Sequence, residues 1–172
     1  MHYKVKTIRV LVMTSAGRIY LQKRSKLKKE NSGLYDKTVG GHVYAGDSFD
    51  STLVKECAEE LGFPASIVPE KEFSRAAKSI DLKTVAIIKK LDYDPHFESL
   101  RQSGKRKFTQ IFMGAFYLGY YDGPIRFADG EASGIETFSM PELKKEIQKS
   151  PEKFTQDLKY MVKKYGKILR PL

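Results

Sequence analysis

The chain predicts an α+β protein, and three stretches carry that prediction. From Tyr3 to Met13 β-branched residues dominate with partial alternation, which reads as a strand. Phe108 to Tyr121, FTQIFMGAFYLGYY, is a long aromatic strand. Its alternation places Ile111, Met113, Ala115 and Tyr117 on one side, with Gln110, Phe112, Phe116 and Leu118 largely on the other. Between these two, Phe49, Leu53, Cys57 and Leu61 recur every fourth residue, with Val54 and Ala58 beside them, the spacing of a helix with one apolar face.

That central helix opens near Asp47 or Ser48, both good N-caps because a short side-chain oxygen can accept a free first-turn N–H. Gly62 supplies its stop, as glycine does where the backbone turns left-handed. Glu56, Glu59 and Glu60 fall at i, i+3 and i+4, so three carboxylates share a neighbouring face. Alone they repel and weaken the helix. A hard divalent cation would reverse the sign, because carboxylate oxygens suit Mg²⁺ and substrate phosphates can complete its shell. Without a wider pattern such a charge run is ordinarily a solvated face.

The wider pattern is present. Gly41, five residues, Asp47, seven residues and then KECAEELGF resembles the Nudix box, the signature of the Nudix hydrolases. Gly41, Glu56, Cys57, Glu59, Glu60, Gly62 and Phe63 stand at the family's spacing, while Asp47 replaces its first Glu and Lys55 its Arg. The resemblance implies a Nudix fold, a mixed sheet sandwiched between helices (α/β/α). It also implies water attack on a diphosphate linked to another group. Glu59 and Glu60 would hold Mg²⁺ (or Mn²⁺), and Glu56 would be a ligand or the base that takes the water proton. Asp47 would serve as an outer ligand. Lys55 keeps the charge of the family Arg but not its planar fork, so altered or reduced activity is expected.

Length and composition set the bounds. At 172 residues with 41% hydrophobic and 30% charged content, the chain reads as one globular domain over 1–172. No apolar run approaches the length of a membrane span and no signal segment opens the chain, so no membrane partner is expected. With one cysteine no internal disulfide forms, which favours the cytoplasm. Cys57 itself belongs to the apolar helix face and reads as a core residue rather than a nucleophile. The net charge of +10 favours anionic partners, either a diphosphate-containing small molecule or nucleic acid. Nucleic acid is the less favoured, since no RNA motif or separate basic fold is present. A homodimer is compatible with the sequence.

In chain order, Ser15-Ala16-Gly17 turns the first strand into its hairpin partner, Arg18 to Lys23, and Arg24 to Glu30 forms a dense basic loop. Leu34 to Val43 should carry a strand into the box. LQKRSKLKKENSGLYDKTVGGHV is similar to the Nudix subgroup that contains isopentenyl-diphosphate isomerase and its hydrolase relatives. By that resemblance Arg24 and Lys28 bind the substrate diphosphate. The isomerase's catalytic Cys falls at Gly40, and its later metal-binding Glu pair falls near Phe108-Thr109-Gln110, where no carboxylate exists. A diphosphate hydrolase is therefore expected rather than an isomerase. His42 matches a subgroup metal ligand, though a lone His in such a strand is more often structural.

Residues 64–105 read as an insertion, with helix formers from Pro69 to Ser79 and either helix or strand from Leu82 to Leu91. Arg101, Lys105, Arg106 and Lys107 make a second basic cluster, read as a charged loop with phosphate or RNA contact as the alternative. Phe112 or Tyr117 could stack on a base, but core packing is the expectation. Glu131 is a candidate acidic residue near the metal, where many Nudix enzymes carry one. Helices follow from Met140 and over Pro151 to Tyr165, the latter with Phe154, Leu158, Met161, Val162 and Tyr165 on its apolar stripe. The function expected is hydrolysis of a nucleoside-diphosphate-X or other organic diphosphate. The alternative is a catalytically weak Nudix module that binds or senses a phosphate ligand.

Overall fold

Alternating apolar residues along the central strands demand cover on both sides, and the chain supplies it with helices. The computed structural model describes residues 4–126 and 132–172. In order these form β1 (Val5–Met13), β2 (Ile19–Arg24), β3 (Tyr35–Asp36), β4 (Val39–His42), α1 (Phe49–Leu61), β5 (Ala65–Ile67), α2 (Glu70–Ser79), β6 (Ala86–Ser103), β7 (Arg106–Tyr120), β8 (Ala132–Phe138), α3 (Met140–Lys149) and α4 (Gln156–Tyr165). The main path of the sheet runs β3-β2-β1-β7-β6-β5, with β4 also paired to β1 and β8 to β2. Parallel pairing of β1 with β7 and of β5 with β6, amid antiparallel neighbours, makes the sheet mixed. Among the described residues no helix is long and apolar enough to cross a membrane.

The two cores follow strand parity. Ile8, Val10 and Val12 of β1, with Ala115 and Tyr117 of β7, pack against Leu53, Cys57 and Leu61 of α1. Leu11 and Met13, with Phe116 and Leu118, pack against Phe73 of α2, Leu143 of α3, and Leu158 and Met161 of α4. This is the α/β/α sandwich. Phe112 and Tyr117 are both fully buried, so neither ring is available to a base.

The structure corrects the sequence reading at three places and resolves it at a fourth. The strand expected over Leu34 to Val43 divides into β3 and β4, because Thr38 between them turns inward. Its buried hydroxyl donates to the Tyr20 carbonyl and accepts from the Val12 amide. The helix expected from Pro151 becomes a 3-10 turn, Pro151–Lys153, followed by α4. Thr155 interrupts it by capping α4, its hydroxyl accepting from the Leu158 amide while its own amide donates to the Tyr35 carbonyl. The ambiguous stretch Leu82 to Leu91 resolves as strand from Ala86. Arg101, Arg106 and Lys107 lie on the paired strands of the β6–β7 hairpin, and only Lys105 sits with Gly104 in its turn.

α1 is held at both ends as its sequence anticipates. Ser48 is the N-cap, and it and Ser51 satisfy each other's backbone amides at 3.0 Å. A cap of this kind contributes about 1 kcal/mol. At the other end Gly62 takes φ 70°, and its amide donates to the Ala58 carbonyl. A side chain there would be strained in φ and would meet Arg126 at 3.2 Å.

Candidate functional site

The pairings of β1 decide where the polar groups meet. β4 runs antiparallel beside it with Ile8 opposite Gly41 and Arg9 opposite Gly40, and α1 lies over β4. The result is a polar cleft of about 260 Å³ between the box helix, the start of β1, the end of β2 and the hairpin. Glu56 and Glu60, one turn apart on α1, line it, as do Gly40, Gly41 and His42 of β4. Facing them are Arg9, Arg24, Lys28, Lys37 and Arg101.

The carboxylate wall is built by close approach. A Cβ on Gly41 would lie 2.8 Å from the Glu56 carboxyl carbon and one of its oxygens, so only glycine lets that side chain cross β4. Glu60 is buried, 5% exposed, and the Gln22 side-chain amide donates to its Oε2 at 2.7 Å. Gln22 also donates to the Thr38 carbonyl, which fixes the amide in place. On the same helix Cys57 is fully buried, and its thiol is pushed far up by that burial and by Glu60 and Glu56 nearby. It stays a neutral core residue.

The cationic wall rests on two buried carboxylates. Arg9 is 2% exposed; its Nε donates to Asp157 Oδ2 at 2.8 Å, and Ser99 donates to the other Asp157 oxygen at 2.6 Å. Its guanidinium lies over Phe97 at 4.4 Å and Phe112 at 5.1 Å, with Thr7 accepting from Nη1. Asp36 holds the other group, with Lys37 Nζ at 3.1 Å, Arg24 Nη1 at 3.4 Å and the Thr155 hydroxyl at 2.8 Å. Burial alone would raise the Asp36 carboxyl. Lys37, then Arg24, together with hydrogen bonds from Thr155 and the Lys37 amide, hold it at about 2 instead. Arg24 also donates twice to the Glu30 carbonyl, closing the basic loop, and Arg101 Nε approaches Glu30 Oε2 at 2.6 Å.

Of the residues singled out in the sequence, Arg24, Lys28, Gly41, His42, Glu56, Glu60 and Arg101 come together in this cleft. Glu59, Lys55 and Asp47 do not line it. Glu59 is exposed on the outer side of α1, Lys55 is exposed with its ammonium 6.0 Å from the Tyr44 ring, and Asp47 sits in the exposed loop before the helix. Glu131 lies outside the described residues. Arg9, Gln22, Lys37 and Asp157 were missed. The one usable signal was Arg9 itself, a charge flanked by the apolar residues Ile8 and Val10 within a strand.

Among the described residues no three His, Cys, Asp or Glu side chains form a metal-holding group by themselves. Two carboxylates on one helix face, opposite cations that can seat phosphate, still suit Mg²⁺ or Mn²⁺. Mg²⁺ typically takes one or two protein carboxylates and leaves the rest of its shell to substrate phosphates and water. The donor set therefore fits a metal that binds together with its substrate.

The chain matches the NUDIX domain family over residues 4–158. An isopentenyl-diphosphate Δ-isomerase from Serratia proteamaculans is 26% identical over 147 residues, covering 85% of this chain and 68% of that protein. Among solved structures, the MutT protein of Methanosarcina mazei shares the fold with a TM-score of 0.61 at 15% identity, over 98% of each chain. A bifunctional NMN adenylyltransferase/ADP ribose pyrophosphatase from Francisella tularensis, solved with AMP and a manganese ion, superposes with a TM-score of 0.59 at 15% identity. That superposition covers 98% of this chain and 43% of the other. With a family match across most of its length and the box residues Gly41, Glu56 and Glu60 meeting at one cleft, the chain belongs to the Nudix hydrolase family.

Proposed function

We propose that the chain is a pyrophosphohydrolase that cleaves the diphosphate of a nucleoside-diphosphate-X or a related organic diphosphate. The observation that carries this reading is the cleft itself, where two box carboxylates face five basic side chains. Arg24 and Lys28 would take the phosphate oxygens, one by a planar fork and the other as a point charge, and Arg9 would supply a fixed charge at the floor. Glu56 would accept the proton of the attacking water as its oxygen bonds to phosphorus and the bridging P–O bond breaks. Glu60, aligned by Gln22, would hold the metal side of the site. When bound, Mg²⁺ or Mn²⁺ supplies neutralisation of phosphate charge and acidification of water. The manganese and AMP in the Francisella structure are consistent with both parts of that ligand set.

Isomerase chemistry lacks support in the residues. Gly40 stands where that subgroup carries its thiol, and the only cysteine is sealed in the core. The test is a panel of nucleotide sugars, dinucleotides, nucleoside triphosphates and prenyl diphosphates with Mg²⁺ or Mn²⁺. Glu60→Gln should lose at least about 10²-fold in kcat, the size of one transition-state electrostatic contact, and Lys55→Arg should gain activity or leave it unchanged. Wild-type turnover by Glu60→Gln would sink the assignment. Tight metal-dependent binding with no release of product from any panel member would favour the phosphate-binding module instead.

A further inference from the structure

A second, smaller cleft of about 120 Å³ adjoins the first and shares Arg101 with it. Its walls are the end of β6, the start of β7, the loop around Asn31 and the first turns of α4, and it contains Lys107, Lys159 and Glu152. Asn31 ties the parts together, its amide donating to the Gln102 carbonyl at 2.9 Å and its Oδ1 accepting from the Gln102 amide at 3.2 Å. The basic loop and the hairpin thus hold both clefts in one frame.

The charges here are arranged against their own repulsion. Lys159 Nζ donates to the Pro151 carbonyl at 3.0 Å, which keeps it over the cleft near Lys107. Burial, and then the positive charge of Lys107, lowers the Lys159 ammonium pKa, with Glu152 acting the other way. Neither lysine belongs to a salt bridge among the described residues. Two ammonium groups and the edge of a guanidinium around a small cleft gain most from a compact dianion.

We infer that this cleft, formed by Lys107, Lys159 and Arg101, binds a phosphomonoester carried by the same substrate whose diphosphate occupies the main cleft. The inference rests on the diphosphate reading of the main cleft and deepens it: the preferred substrate carries a second, distal phosphate. Arg101, common to both walls, would contact both anions. Because the second cleft is small, it suits a single phosphoryl group rather than a nucleoside.

Calorimetry on the full chain with Mg²⁺ tests this, using adenosine 5′-diphosphate, the same nucleotide phosphorylated at the 2′ or 3′ hydroxyl, and the 3′ methyl phosphodiester. At least one added monoester should tighten binding fivefold or more. In Lys107→Ala/Lys159→Ala that gain should fall below twofold while affinity for adenosine 5′-diphosphate stays within twofold of the native protein. No gain in the native protein, a gain that survives the double substitution, or an equal gain from the diester would each overturn the inference. The last would point to an RNA end. A gain reproduced by adenosine 5′-diphosphate plus free inorganic phosphate would overturn the single-molecule arrangement. If adenosine 5′-diphosphate fails to bind at all, the nucleotide form of the main-cleft reading falls. Inorganic phosphate titrated against the Lys159 side-chain NMR signal then decides the second cleft separately, and an unmoved signal overturns it.

Discussion

Arg9 and Lys28 bring positive charge to the same cleft from different places in the fold, a buried strand and a half-buried loop. Arg9 is buried in a strand, bonded to Asp157 and enclosed by Phe97 and Phe112. Lys28 is half-buried in the loop after β2, on a flexible four-carbon stem. A buried charge of the first kind is held by the same contacts that hold the fold, so its position is set before substrate arrives. A charge of the second kind can follow a ligand, at an entropic cost of up to ~2 kcal/mol for ordering the side chain. The carboxylate wall repeats the contrast, with Glu60 clamped by Gln22 and Glu59 left outside the cleft.

The largest effect should come from breaking the buried half. Asp157→Ala strands Arg9 without its counter-charge, and urea denaturation should show a loss of about 3–5 kcal/mol. A loss under about 1 kcal/mol, the scale of an exposed ion pair, would mean that Arg9 is solvated after all. Next, Gly41→Ala tests whether geometry rather than charge sets the acidic wall. Displacement of Glu56 should lower kcat/KM about 10²-fold, the scale of a 1 Å misplacement. Far-UV circular dichroism should be unchanged, and full activity would show that Glu56 can move without consequence.

Asp36 sharpens the comparison through pH. Its folded pKa of about 2 lies below the ordinary 3.8, so its contribution to stability is complete above pH ~4. It is lost as pH falls through that window towards 2, because the unfolded chain then binds the proton more readily. At 1.36 kcal/mol per unit the span is about 2 kcal/mol. Asp36→Asn should remove that part of the acid limb in thermal melts between pH 5 and pH 2; identical limbs in the two proteins would contradict it. The smallest change in stability belongs to Lys28→Ala, within about 0.5 kcal/mol by denaturation. Its mark should be a roughly tenfold higher KM for the diphosphate, equivalent to ~1.4 kcal/mol, and an unchanged KM would remove Lys28 from the binding wall.

α1 was legible almost to the residue, because a helix repeats over four positions and its caps are local. That Glu56 and Glu60 share a helix face followed from that repeat, while their role, like that of Arg24 and Lys28, was an expectation from the family's spacing. The division of the three glutamates was less legible. Periodicity put Glu59 on the same face, yet the line of the cleft, set by β4 beneath α1, takes Glu56 and Glu60 and leaves Glu59 outside. The break at Thr38 and the one at Thr155 also escaped, since each depends on a hydroxyl that finds its partners in another strand.

From its order of residues alone the chain determined most of its helices and strands, which helix carries carboxylates, and a net positive charge that favours anionic ligands. Those properties are written over a few consecutive turns or pleats. Only the tertiary structure decided that Arg9 meets Asp157 across 148 positions, that Gln22 meets Glu60, and that Gly41 admits Glu56. Such meetings depend on the register of β1 against β4 and β7, which is a property of the assembled sheet and leaves no period along the chain.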